Sequence, residues 1–174
     1  MRSIAIVASL TICWSVSAAA APPSGTPAAL VDVDAEGLLE RVRDGKAPLT
    51  VVNVWATWCA PCKEEFPDFI EVERAYRARG VRVWFVSTDF GEDRAKAVEF
   101  LRKTGARLPS FIKTGKDEPF IEALSPKWVG TLPATVIFDR SGRRLRFFQG
   151  RLKRSVLEQT LDSLLGSSPK GESK

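Results

Sequence analysis

The chain has 174 residues, 44% of them apolar, which is enough for one domain with a sizeable core. Its formal net charge of +5 is too small to indicate a nucleic-acid-binding protein. The chain contains no histidine, which excludes His-based zinc catalysis, Ser-His and Cys-His nucleophile pairs, and histidine ligands to haem.

Residues 1–29 predict an export signal followed by a linker. Arg2 gives a short positive region, Ile4–Trp14 forms an apolar core, and Ala18–Ala21 provides the small residues of a cleavage site. This predicts a signal peptide over residues 1–21, with an uncleaved membrane anchor as the alternative. The apolar run is shorter than the roughly 20 residues that span a bilayer. Residues 22–29 are rich in Pro, Ala, Ser and Gly, which predicts a linker.

One of the three cysteines falls within this export signal. Lipidation of Cys13 is disfavoured because Ile12, rather than a small residue, precedes it. Cleavage after the alanines would remove Cys13 and leave Cys59 and Cys62 as the cysteines of the mature chain.

A single domain is predicted over residues 30–165, and its first half alternates strands with helices. The predicted elements are strand Leu30–Val33, helix Ala35–Asp44, strand Thr50–Trp55, helix Cys59–Arg79 and strand Val81–Thr88. Asp34 is placed to cap the first helix and Gly45 to end it. The apolar strands and the helix between them predict a right-handed parallel crossover. Pro67 predicts a kink in the second helix.

The second half predicts an inserted helix and then two strands and a helix. The predicted elements are helix Gly91–Gly105, strand Leu108–Ile112, a turn of helix at Pro119–Leu124, strands Ala134–Asp139 and Arg144–Gln149, and helix Lys153–Leu165. The predicted inward residues of the two longer helices are Ala95, Val98, Leu101, Val156, Leu157, Thr160, Leu161, Leu164 and Leu165. A disordered tail is predicted over residues 166–174. The fold class is therefore α/β, with a mixed sheet and helices on both faces.

Cys59 and Cys62 predict a redox site at the start of a helix. Residues at i and i+3 in a first helical turn face the same side, with Cα atoms near 5–6 Å, so a disulfide can form and break there. The helix N-terminus stabilises a thiolate on Cys59, which makes Cys59 the predicted attacking thiol. Cys62, one turn later, is the predicted resolving thiol.

Three other interpretations of the cysteine pair compete with this one. A static structural disulfide more often joins cysteines that are far apart in sequence. A zinc site needs four ligands, and the mature chain would offer two thiolates and no histidine. A c-type haem needs Cys-x-x-Cys-His, whereas Lys63 follows Cys62 here.

Two sequence blocks resemble one known family. NVWATWCAPCKEEFP and LPATVIFDRSGR, about 70 residues apart, resemble the exported thioredoxin-like reductases of the TlpA/ResA type, and the resemblance spans residues 30–165. It implies a thioredoxin-like fold without a cofactor or a metal. It also implies that Cys59 is the nucleophile and that Cys62 resolves the mixed disulfide.

The resemblance assigns further residues around the cysteines. Pro133 corresponds to a cis-proline packed against the disulfide, although most X-Pro bonds are trans. Leu132 would then offer its backbone to a substrate strand. Trp55 and Trp58 correspond to the aromatic residues that flank the motif, and core packing is the alternative for Trp55. Pro61, in the first helical turn, is tolerated because the N–H groups there have no helical partner.

Asn53 and Glu65 raise the question of how protons are handled. Cytosolic thioredoxins carry a buried Asp where this chain has Asn53, and an amide cannot accept a proton from the resolving thiol. Glu65 resembles a glutamate that ResA-type proteins keep near the active site. We expect Glu65 to handle the proton. The alternative is a solvated helix glutamate.

The residues between the cysteines bear on the direction of electron flow. Strong oxidants of the DsbA type have a His there, whereas this chain has Ala60 and Pro61. The expected function is reduction of disulfides in exported or periplasmic proteins by a monomer that receives electrons from a membrane thiol donor, and cytochrome c maturation is the expected setting. The alternatives are a disulfide oxidase or isomerase and a non-catalytic binding module. A peroxiredoxin-like peroxidase shares the fold, but its Pro-x-x-x-Thr-x-x-Cys pattern is missing.

The segment from Arg140 to Arg154 is dense in Arg and Lys. An exposed hairpin and helix start would explain this density without any partner. The functional interpretation is a surface for an acidic partner or for anionic lipid.

Overall fold

A computed structural model describes residues 30–106 and 110–166. The predictions of a signal peptide, of a linker and of the fate of Cys13 lie outside the described residues. So does the predicted tail, except for Gly166, which ends the last helix. Within the described residues no helix is both long enough and apolar enough to cross a membrane.

Six strands and five helices follow the predicted order closely. They are β1 Leu30–Val33, α1 Ala35–Asp44, β2 Leu49–Trp55, α2 Ala60–Tyr76, a 3-10 turn Arg77–Arg79, β3 Val81–Ser87, α3 Asp93–Thr104, β4 Ser110–Lys113, α4 Asp117–Leu124, β5 Ala134–Asp139, β6 Arg144–Gln149 and α5 Arg154–Gly166. The Asp34 carboxylate accepts a hydrogen bond from the Gly37 N–H at 2.9 Å, which confirms the predicted cap of α1. Pro67 lies inside α2.

The six strands form one mixed sheet in the order β1-β4-β3-β2-β5-β6. β1, β4, β3 and β2 run parallel, whereas β5 is antiparallel to both β2 and β6. All seven residues of β2 are buried, as expected for a strand between two neighbours with helices on both faces. The prediction of a mixed sheet is confirmed, and the central strand β2 leads directly to the helix start that holds the cysteine pair.

Hydrophobic clusters on both faces of the sheet hold the helices in place. One cluster includes Phe66, Phe69, Leu101 and Leu157 from α2, α3 and α5, and the other includes side chains from α1 and α4. The Phe66 ring stacks on Phe85 of β3 with centroids 4.2 Å apart. This packing fixes α2, and therefore its first turn, against the sheet.

The inserted region differs from the prediction in its details. β4 lies between β1 and β3 in the sheet, and α4 has eight residues rather than a single turn. Ala95 is exposed and Ala97 is buried in its place, whereas the predicted burial of Leu101 is confirmed. Val156, also predicted to face inward, is 39% exposed. Several apolar stripes fit the helical period in short helices, and packing against the sheet selects one of them.

Candidate active site

The cysteine pair lies at the N-terminus of α2, a few residues after the end of β2. Cys59 is the N-cap of α2 and has an extended backbone, and its Sγ accepts a hydrogen bond from the Cys62 N–H at 3.3 Å. The two residues are joined by a disulfide, and their Cα atoms are 5.3 Å apart, within the predicted range. Cys59 is 5% exposed, whereas Cys62 is fully buried. Solvent and partners therefore reach Cys59 first, and the N–H groups of the first helical turn are positioned to stabilise a thiolate there.

The two tryptophans that flank the motif have different environments. Trp55 is fully buried, and its ring meets Phe66 edge-on with centroids 4.9 Å apart. The core-packing interpretation of Trp55 is therefore correct. Trp58 is 65% exposed and lies next to the disulfide in the chain. Pro61 occupies the first turn of α2, where it removes no helical hydrogen bond.

The start of β5 brings Leu132 and Pro133 to the same end of the sheet. The Leu132–Pro133 peptide bond is cis, as the resemblance implies. Ala134, the next residue, pairs with Val54 of β2, so Pro133 lies level with the end of that strand. A cavity of about 290 Å³ is lined by both Trp58 and Leu132, together with Phe90 and other residues. A cavity with a largely aromatic and aliphatic lining thus includes Trp58, the residue directly before Cys59.

Glu65 is fully buried one turn after Cys62, so the interpretation of Glu65 as a solvated helix glutamate is wrong. Its Oε1 accepts a hydrogen bond from Asn53 Nδ2 at 2.8 Å, and its Oε2 accepts one from the Leu152 N–H at 2.9 Å. Burial raises the pKa of Glu65 above its ordinary value, although these two hydrogen bonds and the charge of Arg151 act in the opposite direction. A buried carboxyl with a raised pKa is suited to accept and return a proton.

Asn53 links this carboxylate to the strand that follows Pro133. Its Nδ2 also donates to Thr135 Oγ1 at 3.2 Å, which connects β2, α2 and β5. Its Oδ1 is buried without a hydrogen-bond partner within the described residues. The amide therefore serves as a donor to Glu65 and has no route for accepting a proton itself.

Asp89 is a residue of this region that the sequence analysis missed. Its carboxylate is 1% exposed and accepts hydrogen bonds from the Thr57 N–H at 3.0 Å, from Thr57 Oγ1 at 2.7 Å and from Ser87 Oγ at 2.6 Å. These bonds tie the loop before Cys59 to the end of β3. The Ser-Thr-Asp run at the end of a parallel strand was the available signal, because neighbouring parallel strands end at the same edge.

We expect Asp89→Ala to destabilise the oxidised protein by about 2–3 kcal/mol, since hydrogen bonds to a charged group contribute roughly 1.5–3 kcal/mol. Urea unfolding monitored by tryptophan fluorescence measures this. Asp32→Ala is the control, because its exposed carboxylate pairs with Arg94 at the surface, where an ion pair contributes less than about 1 kcal/mol. Equal losses in the two variants would contradict the assignment.

Three of the seven cations in the basic segment from Arg140 to Arg154 form ion pairs within the described residues. Arg143 pairs with Asp139 at 3.0 Å, Arg151 pairs with Glu64 at 2.7 Å, and Arg154 pairs with Glu71.

Across the described ranges, no group of three or more Cys, Asp and Glu side chains is arranged to hold a metal ion. The groups that carry chemistry at this site are the cysteine pair and the buried Glu65 carboxyl one turn away.

Comparisons with known proteins agree with this site. The model of the AhpC/TSA family matches residues 28–143. "Thiol-disulfide oxidoreductase ResA" of Geobacillus thermodenitrificans is 28% identical over 131 residues, which cover 75% of this chain and 71% of that protein. The protein of the same name from Bacillus subtilis is 26% identical over 129 residues, which cover 74% and 68%.

Solved structures show the same fold. A putative thiol:disulfide interchange protein DsbE from Chlorobium tepidum superposes with a TM-score of 0.60 and 26% identity, over 71% of this chain and 84% of that one. A putative thioredoxin from Neisseria meningitidis superposes with a TM-score of 0.58 and 21% identity, over 72% and 80%. The predicted thioredoxin-like fold is thereby confirmed.

Proposed function

Because the chain belongs to the AhpC/TSA family and is a thiol-disulfide oxidoreductase of the ResA type, we propose that it reduces disulfides of exported proteins through Cys59 and Cys62. The observation that carries the proposal is the asymmetry of the pair. Cys59 is the partly reachable N-cap residue, directly after Trp58 of the cavity lining, and Cys62 is fully buried. The Cys59 thiol can therefore contact a substrate disulfide, and the Cys62 thiol remains shielded from solvent until it resolves the mixed disulfide.

The reaction begins from the dithiol form of the protein. The Cys59 thiolate attacks one sulfur of a substrate disulfide and forms a mixed disulfide, and the other substrate sulfur leaves as a thiolate that takes up a proton. Cys62 then loses its proton and attacks the Cys59 sulfur, which releases the second substrate thiol. The substrate gains two electrons and two protons, and the protein is left with the Cys59–Cys62 disulfide. A dithiol donor at the membrane restores the reduced form.

Glu65 accepts the proton that Cys62 loses in the second step. Both residues are buried on the same helix, one turn apart, so bulk water is a poor acceptor for that proton. The Asn53 amide and the Leu152 N–H hold the carboxylate in one orientation. The raised pKa of Glu65 favours the protonated form that follows transfer.

Leu132, Pro133 and Trp58 position the substrate. Leu132 offers its backbone to an extended substrate segment, in the manner of strand addition. Trp58, which is mostly exposed and lines the same cavity as Leu132, covers the apolar part of that segment. A disulfide-containing protein, rather than a small molecule, is the substrate class that uses both contacts.

We expect the Cys59–Cys62 couple to be reducing, close to the about −270 mV of thioredoxin rather than the about −120 mV of DsbA. The physical reason is that no cationic His lies between the cysteines to stabilise the thiolate form. Equilibration with glutathione buffers of known potential measures it. A value above about −150 mV, on the same scale, would assign the protein to the oxidase or isomerase alternative.

The cellular setting belongs to the same proposal. Residues 1–21 direct export to the periplasm or keep the protein as a membrane anchor, and the protein acts as a monomer. Reduction of apocytochrome c thiols before haem attachment is the specific role that we propose. A peroxidase function is not favoured, because Val52 and Ala56 occupy the positions of Pro and Thr in the pattern that would end at Cys59.

A further inference from the structure

The end of the sheet opposite the disulfide gathers several separate parts of the chain. Leu49, the first residue of β2, pairs with Val81 at the start of β3 and with Asp139 at the end of β5. The last turn of α1 lies at the same end, since a β-carbon at Gly142 in the β5–β6 turn would lie 2.8 Å from the Arg43 side chain. α2 and α3 both run away from the disulfide end, and the Arg74 guanidinium lies beside Gly105, which ends α3.

Exposed cations without ion pairs collect at this end. We call this surface the basic pole, and its members are Arg43, Lys46, Arg74, Arg82 and Arg140. None of them forms an ion pair with a carboxylate in the part of the chain that the structure describes. They come from five different elements or turns, so they form one surface only in the folded protein.

Most carboxylates near the basic pole are already paired with other cations. These pairs are Glu73 with Arg77, Glu99 with Arg102, Asp139 with Arg143, and Asp162 with Arg79. Asp44 and Glu40 on α1 are the exposed carboxylates beside the basic pole that have no such pair within residues 30–106 and 110–166. The basic pole therefore has an excess of positive charge that is not balanced locally.

We propose that the basic pole binds the anionic headgroups of a phospholipid bilayer. Headgroup attraction needs positive charge alone, whereas a protein interface normally has an apolar or aromatic centre. The large apolar side chains exposed in the described residues are Trp58, Phe90, Val129 and Val156, and none belongs to the basic pole. Charge without apolar surface fits a lipid surface better than an acidic protein.

The direction of β1 and the position of the disulfide are both consistent with a bilayer at the basic pole. β1 is parallel to β4, β3 and β2, so the chain enters the sheet moving from the basic pole toward the disulfide end. The segment before Leu30 contains the apolar run Ile4–Trp14. β2 spans roughly 20 Å at about 3.3 Å per residue, so a bilayer at the basic pole leaves Cys59 facing away from it.

The test compares two full-length variants with equal loss of charge on vesicles. Arg43→Gln/Arg82→Gln/Arg140→Gln neutralises the basic pole, and Lys63→Gln/Lys116→Gln/Lys153→Gln neutralises exposed cations elsewhere. Binding is measured by flotation with vesicles of phosphatidylglycerol and phosphatidylcholine and with vesicles of phosphatidylcholine alone. The apolar N-terminal segment is the same in both variants, so its contribution cancels.

We expect the wild type to prefer the anionic vesicles and to lose that preference as salt rises. Each basic residue near an anionic surface contributes about fivefold, so the basic-pole variant should bind about a hundredfold more weakly. The other variant should change little, because its charges lie more than the Debye length of about 10 Å from the lipid. Both variants should still reduce 5,5′-dithiobis(2-nitrobenzoate), which shows that they are folded and keeps this test separate from the redox function. Equal binding to both vesicle types, or equal loss in the two variants, would overturn the proposal.

Discussion

Cys62→Ser is expected to turn the protein into a covalent trap for its substrates. Cys59 can still attack a disulfide in this variant, but no second thiol is left to release the mixed disulfide. Multiple-turnover reduction of insulin should fall to background, while a product joined through Cys59 accumulates. Non-reducing electrophoresis and mass spectrometry of the exported fraction measure the trapped species. Both effects follow from the burial of Cys62 behind the reachable Cys59.

The matched control is Cys59→Ser, which should be equally inactive and should trap nothing. Both variants should carry Cys13→Ser, so that the third cysteine of the chain cannot supply a resolving thiol. Trapping at Cys62 in the Cys59→Ser variant would contradict the assigned order of attack. Retention of insulin reduction by a variant with both Cys59→Ser and Cys62→Ser would instead support the binding-module alternative.

The second large effect is expected from Glu65→Gln. Loss of a positioned general base costs about a hundredfold or more, so release of the mixed disulfide should slow by that factor. The pH–rate profile should also lose its dependence on the Glu65 carboxyl. Stopped-flow tryptophan fluorescence during substrate reduction measures both. Asn53 Oδ1, which has no partner within the described residues, can turn to accept from the new amide, so the variant should fold.

Glu64→Gln is the control for this substitution. Glu64 is the neighbouring residue on α2, but it is exposed and pairs with Arg151 at the surface. Its removal should leave the rate and the pH profile unchanged. A pH–rate profile that is the same in wild type and Glu65→Gln would exclude the proton-transfer role.

The pH dependence of folding stability provides a second test of the raised pKa of Glu65. The folded state raises the pKa of Glu65, so it binds the proton more tightly than the unfolded state does. Folding stability should therefore fall as the pH rises from the ordinary pKa of a glutamate through the raised value. Glu65→Gln should remove this decline, which urea unfolding across that pH range would detect. An identical pH dependence in the two proteins would show that burial does not perturb this group.

Several features of the site could be predicted because they are local in sequence. The spacing of Cys59 and Cys62 at the start of a helix sets their distance, and that distance needs no information about the rest of the fold. The apolar run of β2 likewise predicts a central strand. The cis bond before Pro133 could not be derived locally, and it was expected only from the resemblance to a family.

Other features depend on contacts between residues that are distant in the chain. Whether Glu65 is solvated or buried depends on the Asn53 side chain and the Leu152 backbone, which come from β2 and from the segment before α5. Helical periodicity allowed either of two faces of α3, and packing chose the one with Ala97. Such choices rest on small differences between similar local patterns, so they are decided by the neighbouring elements.

The sequence by itself determined the cysteine chemistry, the order of the elements and the thioredoxin-like fold class. The tertiary structure alone decided the role of Asp89, the burial of Glu65 and which cations remain unpaired. The sequence pointed to the segment from Arg140 to Arg154, and ion pairs engage three of its seven cations. Arg140 of that segment joins four other unpaired cations at the basic pole, because parallel crossovers bring the ends of helices and the starts of strands to the same end of the sheet.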